Sequence, residues 1–113
     1  MTTDQELQAK IAALRTSFTA GLTTRFAELD LAMAAIQSGL PLAGQSASIK
    51  TILEQVHKIA GSAGTFGFSD MSAIASQAEQ LCERILKNGH GGDEDALREL
   101  QGKIAGIRAE LKP

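Results

Sequence analysis

Tryptophan and tyrosine are absent from this chain, and four phenylalanines are its only aromatic residues. An apolar interior must therefore be built from Leu, Ile, Val, Ala and Met. The single Cys82 excludes an internal disulfide, and no apolar run approaches the roughly 20 residues that a membrane-spanning helix needs. The formal net charge is -2, with lysines and arginines scattered along the chain, so no basic field exists to attract a nucleic-acid backbone. The opening Met-Thr-Thr-Asp lacks the basic segment and apolar run of a secretory signal. A soluble, cytoplasmic protein with no nucleic-acid or membrane partner is expected. Its 113 residues suit a single domain, 1–113, with one core.

Strand-like alternation is also missing, and what is present is helical periodicity. Thr3-Asp4-Gln5-Glu6 has the form of a capping box. Leu7, Ile11, Leu14, Phe18, Leu22, Phe26, Leu29, Met33 and Ile36 then recur at steps of three and four, one apolar helical face. The threonines and Gly21 between Arg15 and Thr24 predict a break there. Ser38 to Gly44, with Gly39 and Pro41, is the first loop. A helix starting near Ser46 or Ser48 places Ile49, Ile52, Leu53, Val56, Ile59, Ala60 and Ala63 on its apolar side and ends near Gly67. There Gly67 suits a left-handed terminus, Phe68 a hydrophobic fold-back and Ser69 a cap for the next helix. That helix buries Met71, Ile74, Ala75, Ala78, Leu81, Cys82 and Ile85 and runs out at Asn88-Gly89. Asp93 caps a last helix carrying Leu97, Leu100, Ile104, Ile107 and Leu111. The predicted fold is all-α: an antiparallel four-helix bundle with an additional short N-terminal helix packed across one end.

Most catalytic chemistries find no support. There is no G-x-x-x-x-G-K-[ST] phosphate loop, no EF-hand spacing and no metal cluster. Asp93-Glu94-Asp95 reads as an acidic helix start, His90 as a loop histidine among glycines, and Cys82 as a small buried hydrophobe. One nucleophile stands out. On a helix, Leu53, His57, Gly61, Gly64 and Phe68 share one strip, so His57 lies exposed at the edge of the core face with side chains missing one and two turns ahead of it. Glycine inside a helix is unfavourable by about 1 kcal/mol relative to alanine. Two explanations fit that cost: a neighbouring helix packed tightly against the glycines, or a surface kept clear for an approaching partner.

His57, Gly61 and Gly67 reproduce the H-x-x-x-G-x-x-x-x-x-G spacing of histidine-containing phosphotransfer (HPt) domains, which the flanking Ser62, Ala63, Gly64, Phe66 and Phe68 also resemble. The order of helices, the loop at Gly67 to Ser69, and the Met71-to-Leu81 helix with Glu79 extend the resemblance over nearly the whole chain. It implies a phosphoryl carrier: His57, phosphorylated on Nε2, relays the group between aspartates of response-regulator receiver domains in a two-component phosphorelay. No autonomous ATP-dependent kinase activity and no cofactor are expected, with Mg²⁺ on the partner receiver. Receivers and a hybrid histidine kinase are the implied partners of a monomer. Many family members carry lysine three residues after the histidine, where this chain has Ala60. Lys58, about 100° around the helix, and Lys50, two turns earlier on nearly the same strip, are the substitute cations. Glu54, Lys58, Gly61, Gly64 and Thr65 form the expected docking surface. Two alternatives use the same face: a receiver-binding module that is not phosphorylated, and a receiver phosphatase in which Thr65 or Glu54 orients water.

Overall fold

The computed structural model of the chain describes residues 2–39, 42–88 and 94–111. Four helices run in sequence: α1 (Thr2–Gln37), α2 (Leu42–Ala63), α3 (Ser69–Lys87) and α4 (Glu94–Ala109), with a 3-10 turn at Gly64–Phe66 between α2 and α3. No strand occurs among the described residues. The all-α four-helix bundle is as expected, and its helices pack in chain order, α1 on α2, α2 on α3 and α3 on α4, with α4 closing against α1. Leu40 and Pro41 of the first loop, His90 and the cap Asp93 lie outside the described residues.

The apolar periodicity becomes the core. From α1 come Leu22, Phe26, Leu29, Met33 and Ile36; from α2, Ile49, Ile52, Val56, Ile59 and Ala63; α3 adds Met71, Ala75, Ala78, Leu81, Cys82 and Ile85, and α4 Leu100, Ile104 and Ile107. Phe26 is the only aromatic ring fully inside. The other three cluster at the end of the α2–α3 hairpin. Phe18 stacks on Phe66 with ring centroids 5.3 Å apart and meets Phe68 at 6.0 Å, contacts that add about 0.5–1.5 kcal/mol each beyond burial. Polar ties cross the surface between helices: Arg25 donates to Gln55 at 3.0 Å, Lys103 to Gln77 at 2.8 Å, and Arg108 to Asp30 at 2.7 Å.

The structure of α1 departs from expectation. The predicted break between Arg15 and Thr24 is absent, because the Thr16 hydroxyl donates to the Ala12 carbonyl at 3.0 Å and Thr19 to the Thr16 carbonyl at 3.0 Å. These hydroxyls bond back into the helix rather than interrupting it. The short N-terminal helix is consequently not a separate element across the bundle end but the first turns of α1, which starts at Thr2, so the predicted cap Thr3 lies inside the helix. Leu7, Ile11 and Leu14, on the predicted apolar face, are 57%, 48% and 57% exposed. Similarly, α2 begins at Leu42 rather than near Ser46, and Phe68, not Ser69, precedes α3 with no side-chain cap.

Cys82 is fully buried, and burial, followed by the nearby carboxylates of Glu79 and Glu83, pushes its thiol from 9.0 up to about 12. The folded state therefore holds this proton more tightly than the unfolded chain. The associated stability is whole below pH 9 and is lost as pH rises toward about 12, by up to about 1.4 kcal/mol per pH unit. Denaturant titrations across that window should show a shallower decline for Cys82→Ala than for the parent, and thiol reagents at pH 8 should label Cys82 only at the rate of unfolding.

Candidate functional site

The site is set by how α2 reverses into α3. Gly67 takes φ +90°, its N–H donates to the Gly64 carbonyl at 3.2 Å, and the Phe68 N–H reaches back to the Ala63 carbonyl at 2.9 Å. This is the glycine-terminated helix end that the sequence predicts. The hairpin turns about Phe68, so positions equally spaced on either side of it become neighbours. Gly64 faces Ser72, and His57 faces Glu79, whose Oε2 lies 2.6 Å from the imidazole Nδ1. The Ser72 hydroxyl donates to the Ala60 carbonyl at 2.7 Å between them, pinning the register.

His57 is 71% exposed at the side chain and Glu79 22%. An ionised carboxylate only accepts hydrogen bonds, so the proton of the neutral imidazole resides on Nδ1. The Nε2 lone pair is then left facing solvent. Glu79 is the residue that sequence reasoning did not assign: it was visible only as part of the α3 pattern, and the acceptor for the second ring nitrogen went unidentified. Counting eleven residues either side of Phe68 would have found it, once the turn was centred there.

Around this pair, Glu54, Lys58, Gly61, Gly64 and Thr65 are all exposed, as is Lys50. Thr65 sits in the 3-10 turn at the end of the strip. Lys58 projects about 100° around α2 from His57, and Lys50 stands roughly 10 Å of helix rise away. Among the described residues, neither lysine forms an ion pair with a carboxylate. Ala60, at the position where the resemblance leads one to expect lysine, is half-buried in the α2–α3 seam.

The two explanations for the glycines separate here. A Cβ built on Gly61 meets nothing within 4 Å, and one on Gly64 only touches Ser72 at an ordinary 3.8 Å. No neighbouring helix requires their small size, so the packing explanation fails and the cleared surface remains. A family model described as the Hpt domain matches residues 5–110. The chain belongs to the Hpt domain family. Membership implies histidine phosphotransfer in two-component signalling, with response regulators and histidine kinases as partners. No curated protein and no solved structure matched the chain. No helix of this Hpt domain is long and apolar enough to cross a membrane, among the described residues.

In this Hpt domain Gly61→Ala should raise the unfolding free energy by about 1 kcal/mol in denaturant titration, whereas a decrease would restore the packing explanation. Nitrogen-15 NMR at neutral imidazole should show Nδ1–H as the dominant His57 tautomer, and Glu79→Ala should convert it to a mixture.

Proposed function

We propose that this Hpt domain is a phosphoryl carrier in which His57 takes the group from an aspartyl phosphate on one receiver domain and gives it to the aspartate of another. The 2.6 Å contact between Nδ1 of His57 and Glu79 carries the proposal, because it orients Nε2 outward as the nucleophile. In the transfer, the Nε2 lone pair forms an N–P bond while the P–O bond to the aspartate breaks, returning its electron pair to the carboxylate. The proton on Nδ1 stays in place. The phosphorylated ring therefore gains a positive charge, which the Glu79 carboxylate stabilises. The same contact allows the reverse attack by a second aspartate, with no proton to relocate.

Little other machinery is needed, since phosphoryl transfer depends largely on in-line positioning and charge neutralisation. The receiver is proposed to supply Mg²⁺ and its acidic pocket, and a hybrid histidine kinase fits as the upstream donor. Gly61 and Gly64 leave the approach to Nε2 open, with Glu54, Lys58 and Thr65 at its margins. Of the two lysines, Lys58 is the candidate cation for the phosphoryl group because its stem is long enough to swing toward the neighbouring residue, whereas Lys50 starts two turns away. The reading places the relay in the cytoplasm, without an ATP-dependent kinase step on this chain.

Incubation with a labelled phosphoreceiver and Mg²⁺ should place acid-labile, alkali-stable phosphate on the protein and none on His57→Gln. Label on His57→Gln, or no label on the parent, contradicts the carrier, and release solely as inorganic phosphate favours a receiver phosphatase. Gly61→Gln, which projects a side chain into the approach, and Glu79→Gln, which loses the orienting anion, should each slow transfer by about tenfold or more while remaining folded. Unchanged kinetics in Gly61→Gln would remove the docking role of the bare strip.

A further inference from the structure

A helix of 36 residues is about 54 Å long, and α1 gives the molecule its extents of 59 × 22 × 20 Å. Only its second half lies in the bundle. Every residue from Thr3 to Ser17 is exposed, forming an arm beyond the α2–α3 turn. Leu7, Ile11, Leu14 and Phe18 follow a 4-3-4 spacing, the alternation of a two-helix seam. Phe18 already points onto Phe66 and Phe68, so the apolar stripe continuing from it overhangs the hairpin end. Arm and turn together make a notch with an apolar wall and an aromatic floor.

We propose that this notch is filled by the arm of a second copy of the chain, laid antiparallel along the first to form a two-fold dimer. The charges on the arm select that occupant and that direction. Asp4 and Arg15 lie on the same edge of the stripe, about 20° apart in helical phase. In an antiparallel two-fold pair like edges meet, so Asp4 of each copy approaches Arg15 of the other while Leu7 opposes Leu14 across an axis near Ile11. A parallel pair would instead set Lys10 beside Arg15, two like charges at the five-residue offset where coiled coils place their flanking pairs. On the opposite edge Lys10 of each copy meets its counterpart near the axis, one like-charge contact against two Asp4–Arg15 pairs, and Glu6 one turn away on the same helix offsets it.

Arg15 is already where the second arm would arrive. Its guanidinium carbon sits 4.9 Å over the Phe68 ring, and Nη1 comes within 3.9 Å of a Cβ built at Gly67. The acidic first turn of the second copy, Asp4 with Glu6 beside it, would end above that point. The self-complementarity makes the contact isologous, and it closes after two chains. His57 and Glu79 stay outside it, on the outer face of α2 and α3. A dimer departs from the monomer that the family resemblance implies.

Sedimentation of the full chain from about 10 µM to about 1 mM spans the range in which an interface this small associates. The mass should rise from 11.9 kDa toward twice that value. Ile11→Glu should hold it at one chain with helix content unchanged. Asp4→Arg and Arg15→Asp should each weaken the dimer alone and restore it when mixed. Under mild oxidation Ile11→Cys should cross-link to itself, and Leu7→Cys chiefly to Leu14→Cys, with buried Cys82 silent. A single-chain mass at about 1 mM overturns the proposal, as does efficient self-linking of Leu7→Cys. So would an Ile11→Glu variant that keeps the parent's dimerisation but loses receiver binding, since the arm would then belong to the receiver.

Discussion

The register of α2 against α3 is the constraint on which the site depends. It is fixed at the turn, where only a residue tolerant of φ +90° fits at Gly67, and again by the Ser72 hydroxyl on the Ala60 carbonyl. Beneath, Val56, Ile59 and Ala63 of α2 and Met71, Ala75 and Ala78 of α3 share one aliphatic core. A slip of one residue would bury a polar side chain on either helix and carry Glu79 away from His57. The imidazole geometry is thus a consequence of packing several residues removed from it.

The electrostatics follow from that register. An exposed histidine needs no protein to make it nucleophilic, but it needs an acceptor to decide which nitrogen attacks. Glu79, largely shielded while His57 is open, is placed to make that selection and, in the proposed carrier, to face the cationic ring of the phosphorylated form. With Ala60 in the seam, the proposed carrier would stabilise the ring through Glu79 from below, with no lysine one turn ahead for the phosphoryl group. The bare surface at Gly61 leaves the approach to His57 open to the proposed receiver.

Much of this was legible in the sequence, for identifiable reasons. The core faces of α2, α3 and α4 follow from three-four spacing, and the helix end at Gly67 from glycine followed by an apolar residue. The exposure of His57 follows from its helical phase, which puts it at the edge of the buried face. Glu79 was not, since its role depends on where the hairpin turns rather than on any local pattern. The continuity of α1 escaped because threonine is read as a breaker, whereas Thr16 and Thr19 bond to carbonyls of their own helix. The exposure of Leu7, Ile11 and Leu14 is not legible in the sequence, because periodicity reports an apolar face without saying what covers it.

The long helix gives the fold two distinct surfaces. One is polar and stripped of side chains around His57, suited to a partner that must approach closely and leave. The other is the apolar arm, charged differently at its two ends and separated from the reactive ring by the aromatic cluster of Phe18, Phe66 and Phe68. Carrier chemistry can proceed on the first whether or not the second is engaged. Correlated nitrogen-15 and phosphorus-31 NMR of the phosphorylated protein reads the proposed N–P bond directly. Phosphorus coupled to Nε2 of His57 with a proton retained on Nδ1 is the expected result; phosphorus on Nδ1, or on any residue other than His57, would contradict the proposed carrier chemistry.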